Sequence, residues 1–229
     1  MDKEDLNFAD FIASAVHDMK NSLNVQIGFM GELQAECSGK IGEPMSKRLG
    51  QVIYEANRMN SNLIQILSIY KLGKSIYPVD IADYSVKELI EEVVLQNQPM
   101  MVHKGITVSV DCDEDCYWYF DHDLVAGILI NALNNAYNYT RDKIRIAAKA
   151  GDGVFEMRIE DNGTGYPESM LQGGVAKNKG VNFNSGSTGL GFYFSSRVAQ
   201  MHKNGGKEGE IEIENGGAFG GGCFILRLP

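Results

Sequence analysis

The 229-residue chain contains no apolar run near the roughly 20 residues that a membrane-crossing helix needs. Its first residues, Met1-Asp2-Lys3-Glu4-Asp5, lack the basic and apolar regions of a secretory signal. A cytoplasmic protein with no membrane insertion is therefore expected. Cysteine is sparse, at four residues, and these are expected to be reduced in that compartment. Cys112 and Cys116 sit in an acidic run with no histidine or second cysteine pair at metal-ligand spacing, which reads as a solvated loop. Basic charge is also short. Lys and Arg number 21 against 30 Asp and Glu, for a formal net charge of −9. Residues 1–74 carry 8 basic and 9 acidic side chains, which leaves 13 and 21 for residues 75–229. The acidic excess of the second part repels nucleic acid, and no basic stripe offsets it. Any polyanion bound here must be small and accompanied by a metal cation.

What is present divides into two parts. From Phe8 the apolar residues Phe11, Ala15, Met19, Leu23, Ile27, Met30 and Leu33 recur at three- and four-residue spacing, the pattern of an amphipathic helix over about Leu6 to Glu36. His17 falls off that stripe, on a face with Asp10, Ala13, Lys20, Asn21 and Asn24, so it is expected to face water. Asn21 lies one turn after it on the same face. Ser38-Gly39 and Gly42 break the helix, and Glu43-Pro44 suits the first turn of the next. That helix runs through Leu49, Val52, Ile53, Ala56, Met59, Leu63, Ile66, Leu67 and Tyr70 to Gly73. Two such helices form an αα-hairpin whose stripe stays wet on one side, and pairing two copies into a four-helix bundle covers it.

Lys74 to Asp83, with Pro78, reads as a linker. Ser85 and Glu88 form a capping box for a helix running towards His103, interrupted late by Pro99, and Gly105 turns it into a strand at 106–110. A short strand at 117–120, a helix from Asp121 to Tyr139, strands near 143–149 and 153–160, a helix from Leu190 to Met201 and strands near 209–215 and 222–228 complete the second part. The expected architecture is an α+β sandwich, one mixed sheet covered by helices on one face. Of the 26 glycines, 18 lie after residue 150, which marks that region as the one that handles a ligand.

Three constellations there carry chemistry. Asn131, Asn135 and Asn138 present three carboxamides on one helix face, and such oxygens suit Mg²⁺, which needs few protein groups beside substrate phosphates. A row of asparagines can equally be a polar surface face. Glu160-Asp161-Asn162-Gly163-Thr164-Gly165-Tyr166-Pro167 ends a strand, where a carboxylate can accept from an exocyclic amine such as that of adenine; alone, it is an ordinary turn. Gly186-Ser187-Thr188-Gly189-Leu190-Gly191 opens a helix, whose free N–H groups and dipole favour phosphate. This stretch lacks the Lys-Ser/Thr of a P-loop and does not follow a strand as a dinucleotide-binding turn would.

In this order and spacing the chain resembles the sensor histidine kinases of two-component signalling, from Phe8 onwards. His17-Asp18-Met19-Lys20-Asn21 resembles their phosphoacceptor motif, Asn131 to Thr140 their asparagine box, and Asp161 to Gly165 and Gly186 to Gly191 their two glycine boxes. The resemblance implies a dimerisation and histidine-phosphotransfer hairpin over residues 1–74, as a dimeric four-helix bundle, and a catalytic α+β sandwich of the Bergerat or GHKL ATPase type over 75–229. It implies ATP and Mg²⁺ as cofactors. Asn135 would bind the metal and Asn131 support it; Tyr139 would pack by adenine, and Asp161 bond its amino group. Gly163, Gly165, Gly189 and Gly191 would shape the ATP lid, with Thr188, Leu190 and Asn138 alongside. His17 would be the nucleophile, Asp18 its polarising acid and Asn21 the water-positioning amide of phosphatase activity. The implied partners are a second copy of the chain, a response-regulator receiver domain and, with no sensor segment before His17, a separate sensor protein.

Departures from the family pattern are specific. Asp18 stands where glutamate is commoner, Ser22 replaces the usual proline, Asn138 stands where a basic residue is usual, and no phenylalanine pair is evident between the glycine boxes. The rival readings are a catalytically degenerate dimeric phosphotransfer or scaffold module, a GHKL-type ATPase, for which Asn131 occupies the position of the glutamate base, and an anti-sigma-type serine kinase, which would have no use for the His17 hairpin.

Overall fold

The computed structural model describes residues 3–37, 39–73, 78–173 and 189–229. The chain divides into two compact units, Met1–Tyr77 and Pro78–Pro229. Residues 74–77 of the expected linker, and Gly186, Ser187 and Thr188 of the second glycine-rich stretch, lie outside the described residues.

The first unit is a hairpin of α1 (Lys3–Cys37) and α2 (Glu43–Gly73). Gly39, at φ 71°, makes the left-handed step out of α1, and Gly42 O accepts from Met45 N and Ser46 N at the start of α2. Val16, Tyr54, Ala56 and Gln65 are buried between the helices, and Asn60 donates to Asn24 Oδ1 across them at 2.9 Å. The expected stripe of α1 is corrected here. Ala15, Leu23, Ile27 and Met30 are half-buried, but Phe11, Met19 and Leu33 are 67, 57 and 49 % exposed. One neighbouring helix covers only part of a wide apolar face, and Val16 rather than Met19 points into the contact.

In the second unit β1 (Ala82–Ser85) leads into α3 (Val86–Lys104). The capping box is made: Ser85 Oγ accepts from Glu88 N at 3.3 Å. Gly105, at φ 72°, closes the helix with its N–H on the Met101 and Val102 carbonyls. Pro99 does not interrupt α3, contrary to expectation. The carbonyl it leaves without a donor belongs to Leu95, which is exposed and so lies on the solvent side. The linker expectation is also corrected. Ala82 and Asp83 are strand, paired antiparallel with β3 (Tyr117–Phe120) in register Ala82↔Phe120 to Ser85↔Tyr117. Four residues are too few for a period to show, and their partner lies far away in sequence.

The main sheet has five strands in the order β2 (Thr107–Asp111), β4 (Lys143–Gly151), β5 (Val154–Asp161), β9 (Gly221–Leu228), β8 (Glu210–Gly216). β2 and β4 are parallel and the other pairs antiparallel, so the sheet is mixed, as expected. Ile144, Ile146, Phe155, Met157, Ile159, Phe224, Leu226 and Leu228 are buried on one face, under α3, α4 (His122–Tyr139) and α6 (Leu190–Met201). Strand period puts Asp161 on that same inner face, two residues after Ile159. The other face carries alternating charges: Arg145 with Glu160, Arg158 with Glu156, and Arg227 with Glu156 and Glu212. A short α5 (Glu168–Gly173) and a two-stranded hairpin of β6 (Lys203–Asn204) and β7 (Lys207–Glu208) were not foreseen. The Cys112–Cys116 loop is less solvated than expected. Cys116 is buried, the Cys112 thiol donates to Asp113 O at 3.6 Å, and burial pushes Cys112 up to about 12.

Candidate functional site

The residues expected to face a nucleotide converge on one end of α4. Asn131 is half-buried, and its Nδ2 donates to Ser195 Oγ on α6 at 3.2 Å. A side chain at Gly191 would put Cβ 2.4 Å from both polar atoms of Asn131. Only glycine allows α6 to start this close to α4. Asn135, one turn on, is half-buried and makes no hydrogen bond to a described residue. Asn138 is exposed and its amide bonds back to Asn134 O at 2.9 Å. Tyr139 is also exposed at the helix end.

The first glycine-rich stretch is fastened to that helix end. Asn162 Oδ1 accepts from Thr140 Oγ1 and from the backbone N–H groups of Arg141, Asp142 and Lys143, at 2.9, 3.2, 3.1 and 3.1 Å. Its amide donates to Asp142 Oδ1 at 2.7 Å. Gly163 lies so close that a Cβ would sit 2.1 Å from Tyr139 O. Asp161 is only 7 % exposed. Its Oδ1 accepts from Gly163 N at 2.6 Å and Gly222 N at 3.3 Å, while Oδ2 has no hydrogen bond to a described residue. One oxygen is thus fixed by backbone and the other is left to accept from a ligand. Gly165, at φ 75°, packs on Asn215, which brackets the loop: Oδ1 accepts from Tyr166 N at 2.6 Å and Nδ2 donates to Tyr166 O at 2.9 Å. Tyr166 meets Phe192 edge-on, and burial pushes its phenol above the usual range.

Gly189, at φ 61°, is the N-cap of α6 and provides no side-chain cap, and Leu190 opens the helix half-buried. The first N–H groups of α6 are therefore available to an anion. The far end of α6 is tied to the start of α4. His202 Nε2 accepts from Asp121 N at 3.0 Å, and its Nδ1 bonds Val198 O at 2.9 Å. Asp121 in turn caps α4 by accepting from Leu124 N at 3.1 Å with Oδ1, and accepts from Asp80 N at 3.0 Å with Oδ2. Sequence reasoning did not single out Ser195, His202 or Asn215. Their bonds span 64, 81 and 49 residues, and such distance leaves no local pattern.

On α1 the sequence-predicted trio is partly assembled. The His17 side chain is 58 % exposed. Its Nδ1 lies 3.3 Å from Asn21 Nδ2 and 3.6 Å from Asp18 Oδ1. The first is hydrogen-bond range and the second is an electrostatic contact. Among the described residues no group of three or more His, Cys, Asp and Glu side chains is placed to hold a metal.

Residues 120–229 match the histidine kinase-, DNA gyrase B-, and HSP90-like ATPase family. The sensor protein SrrB of Staphylococcus aureus (strain N315) is 22% identical over 233 residues, covering 96% of this chain and 38% of that protein. The chain thus spans well under half the length of the curated relatives it matches. Among solved structures, full-length ShkA in complex with AMPPNP is similar at a TM-score of 0.64 and 19% identity, over 96% of this chain and 45% of that one. The catalytic domain of histidine kinase ThkA gives 0.56 and 22% over 66% and 95%. The Acinetobacter baumannii histidine kinase AdeS gives 0.60 and 18% over 90% and 96%. Residues 120–229 thus match the histidine kinase-, DNA gyrase B-, and HSP90-like ATPase family, and over 96% of its length the chain is similar to a sensor histidine kinase.

Proposed function

We propose that this chain is an ATP-dependent protein-histidine kinase that phosphorylates itself on His17 and passes the phosphoryl group to an aspartate of a response regulator. The observation that carries the reading is Asp161: one oxygen is fixed by two backbone N–H groups and the other is uncommitted, as an acceptor for the adenine amine requires. The same chain offers a solvent-facing histidine with an acid beside it. ShkA, a structural neighbour, was solved with AMPPNP.

The residues also fit Mg²⁺. Asn135 supplies a neutral oxygen with no described partner, and a Mg²⁺ site of this kind uses few protein groups and several substrate and water oxygens. When bound, the metal neutralises phosphate charge. Asn135 would hold it, while Asn131 keeps α4 and α6 in register through Ser195. Tyr139 stands at the mouth of the adenine site. Gly163, Gly165, Gly189 and Gly191 let backbone approach the nucleotide, and Leu190 belongs to the same lid. Asn138 adds no charge, so the phosphates rely on backbone N–H groups and metal.

His17 attacks the γ-phosphorus, Asp18 stabilises the charge that develops on the ring, and Asn21 positions water for the reverse removal of phosphoryl from the regulator. The exposed apolar residues of the hairpin suit a homodimer. A hydrolytic GHKL ATPase is disfavoured because Asn131, at the position a general base would need, is an amide bonded to Ser195. The test is incubation with γ-labelled ATP and Mg²⁺. Acid-labile, base-stable label that disappears in His17→Ala supports the kinase, and no such label in folded protein refutes it.

A further inference from the structure

Both contacts of the His17 ring fall on the same atom. Asn21 Nδ2 stands 3.3 Å from Nδ1, and Asp18 Oδ1 stands 3.6 Å from it. These neighbours demand opposite things. An amide nitrogen only donates, so a bond from Asn21 needs a lone pair on Nδ1. A carboxylate only accepts, so a bond to Asp18 needs a proton on Nδ1. A neutral imidazole has one proton for two nitrogens. When Nδ1 accepts from Asn21, the proton sits on Nε2 and that nitrogen has no lone pair to attack with. When Nδ1–H donates to Asp18, the Nε2 lone pair is free. The ring is more than half exposed, so Nε2 is open to a reacting partner in either case.

We propose that Asn21 and Asp18 compete for Nδ1 of His17 and thereby set which tautomer is present, with Asn21 holding the histidine in its non-nucleophilic form. This rests on the kinase reading above and adds a gate to it. In the reactive form the Nε2–phosphorus bond forms, the bond from phosphorus to the β,γ-bridging oxygen breaks, and ADP leaves with that electron pair. The positive charge that develops on the ring is met by Asp18, which takes the Nδ1 proton. In the gated form Nε2–H cannot begin this step. The amide nearest His17 therefore opposes the kinase direction, in addition to any part it has in the reverse reaction. A single turn of α1 makes the choice, because the three residues lie within five positions of one helix. A change in helix packing or a docked partner that draws the Asn21 amide away releases Nδ1 to Asp18. Asn21 is thus a positioning residue, acting through the ring rather than on the phosphate.

The test uses the full chain at about pH 8. Ring ¹⁵N shifts of His17 report the protonated nitrogen without any catalysis. Wild type is expected to favour Nε2–H. Asn21→Ala removes the donor, and Asn21→Asp replaces it by an acceptor of the same size; both are expected to move the ring toward Nδ1–H. His17-dependent labelling from ATP should rise by about two- to tenfold in Asn21→Ala, the range expected of one hydrogen bond. A purely helix-stabilising effect of alanine would leave the Asn21→Asp ¹⁵N pattern like wild type. Unchanged ¹⁵N patterns in both variants overturn the gate, whatever the labelling does. Shifted patterns with no rise in labelling overturn it as a control on phosphorylation. Absence of His17-dependent label in wild type instead refutes the kinase reading, and the gate with it.

Discussion

Asn131 on α4 donates to Ser195 on α6 at the point where Gly191 leaves no room for a side chain. This contact fixes the spacing of the two helices that would flank the proposed nucleotide. An alanine at Gly191 would drive a methyl group into the Asn131 carboxamide, which is itself tethered. Gly191→Ala is expected to lower stability by about 1–3 kcal/mol, the usual cost of overpacking, and to weaken nucleotide binding. Gly31→Ala is the control. A Cβ at Gly31, on α1, would meet nothing within 4 Å, so alanine there should stabilise by up to about 1 kcal/mol. Urea unfolding of both variants gives the comparison, and equal midpoints would reject the spacing argument.

Asp161 commits one oxygen to Gly163 and Gly222 and leaves the other for a ligand. Asp161→Asn can keep the backbone bonds with its carbonyl, but then presents an N–H where the adenine amine also donates. A lost hydrogen bond to a charged group is worth about 1.5–3 kcal/mol, so ATP affinity should fall by roughly 10- to 100-fold. Calorimetric titration checks this. An inosine nucleotide, which offers an acceptor at that position, should lose much less or gain, and an equal loss for both nucleotides would contradict the contact.

Stability should depend on His202. Asp121 N–H donates to Nε2, which puts the single ring proton on Nδ1, facing Val198 O. Burial lowers the pKa from the ordinary value of 6.5. In the unfolded chain the ring protonates near 6.5, whereas in the folded chain it stays neutral to lower pH. The stabilisation is fully present above 6.5 and is lost as pH falls below it through the folded value. Urea midpoints against pH should show this slope, and the slope should diminish in His202→Gln. An unchanged slope in that variant would assign the effect elsewhere.

Much of the fold was written locally. Ser85 and Glu88 announce α3, Gly105 ends it, and the apolar spacing of α4 predicts the face it buries. The chemistry-bearing residues were legible because type and spacing are local too: Asn131 and Asn135 one turn apart, Asp161 with its glycines. What joins them was not. Ser195, Asn215 and His202 act on residues 49 to 81 positions away, and no window of sequence contains both partners. β1 was missed because four residues show no period and pair with a strand beyond α3. The α1 stripe was overread, since hydrophobic spacing gives a face but not how much of it one neighbour can cover.

The uncovered part of that face makes the last prediction. Val25, Phe29 and Leu33 recur every four residues along α1 and are 58, 66 and 49 % exposed, and Val52 and Met59 stand out similarly on α2. Residues four apart form one ridge on a helix. Burying a large apolar side chain fully is worth about 1.5–3 kcal/mol, so a ridge of this length from each of two copies offers enough to offset the cost of association. Phe29 contributes little to its own hairpin, being mostly in solvent, and can be changed without emptying a core. Phe29→Glu is therefore expected to convert a dimer to monomer, weakening association by tenfold or more, about 1.4 kcal/mol, while leaving the helical circular dichroism intact. Gln98→Glu, which adds the same charge at an exposed position of the second unit, should leave the dimer unchanged. Sedimentation equilibrium over a range of concentrations makes the comparison. A wild-type chain that stays monomeric at high concentration, or a Phe29→Glu dimer as tight as wild type, would show that this face is not where two copies meet.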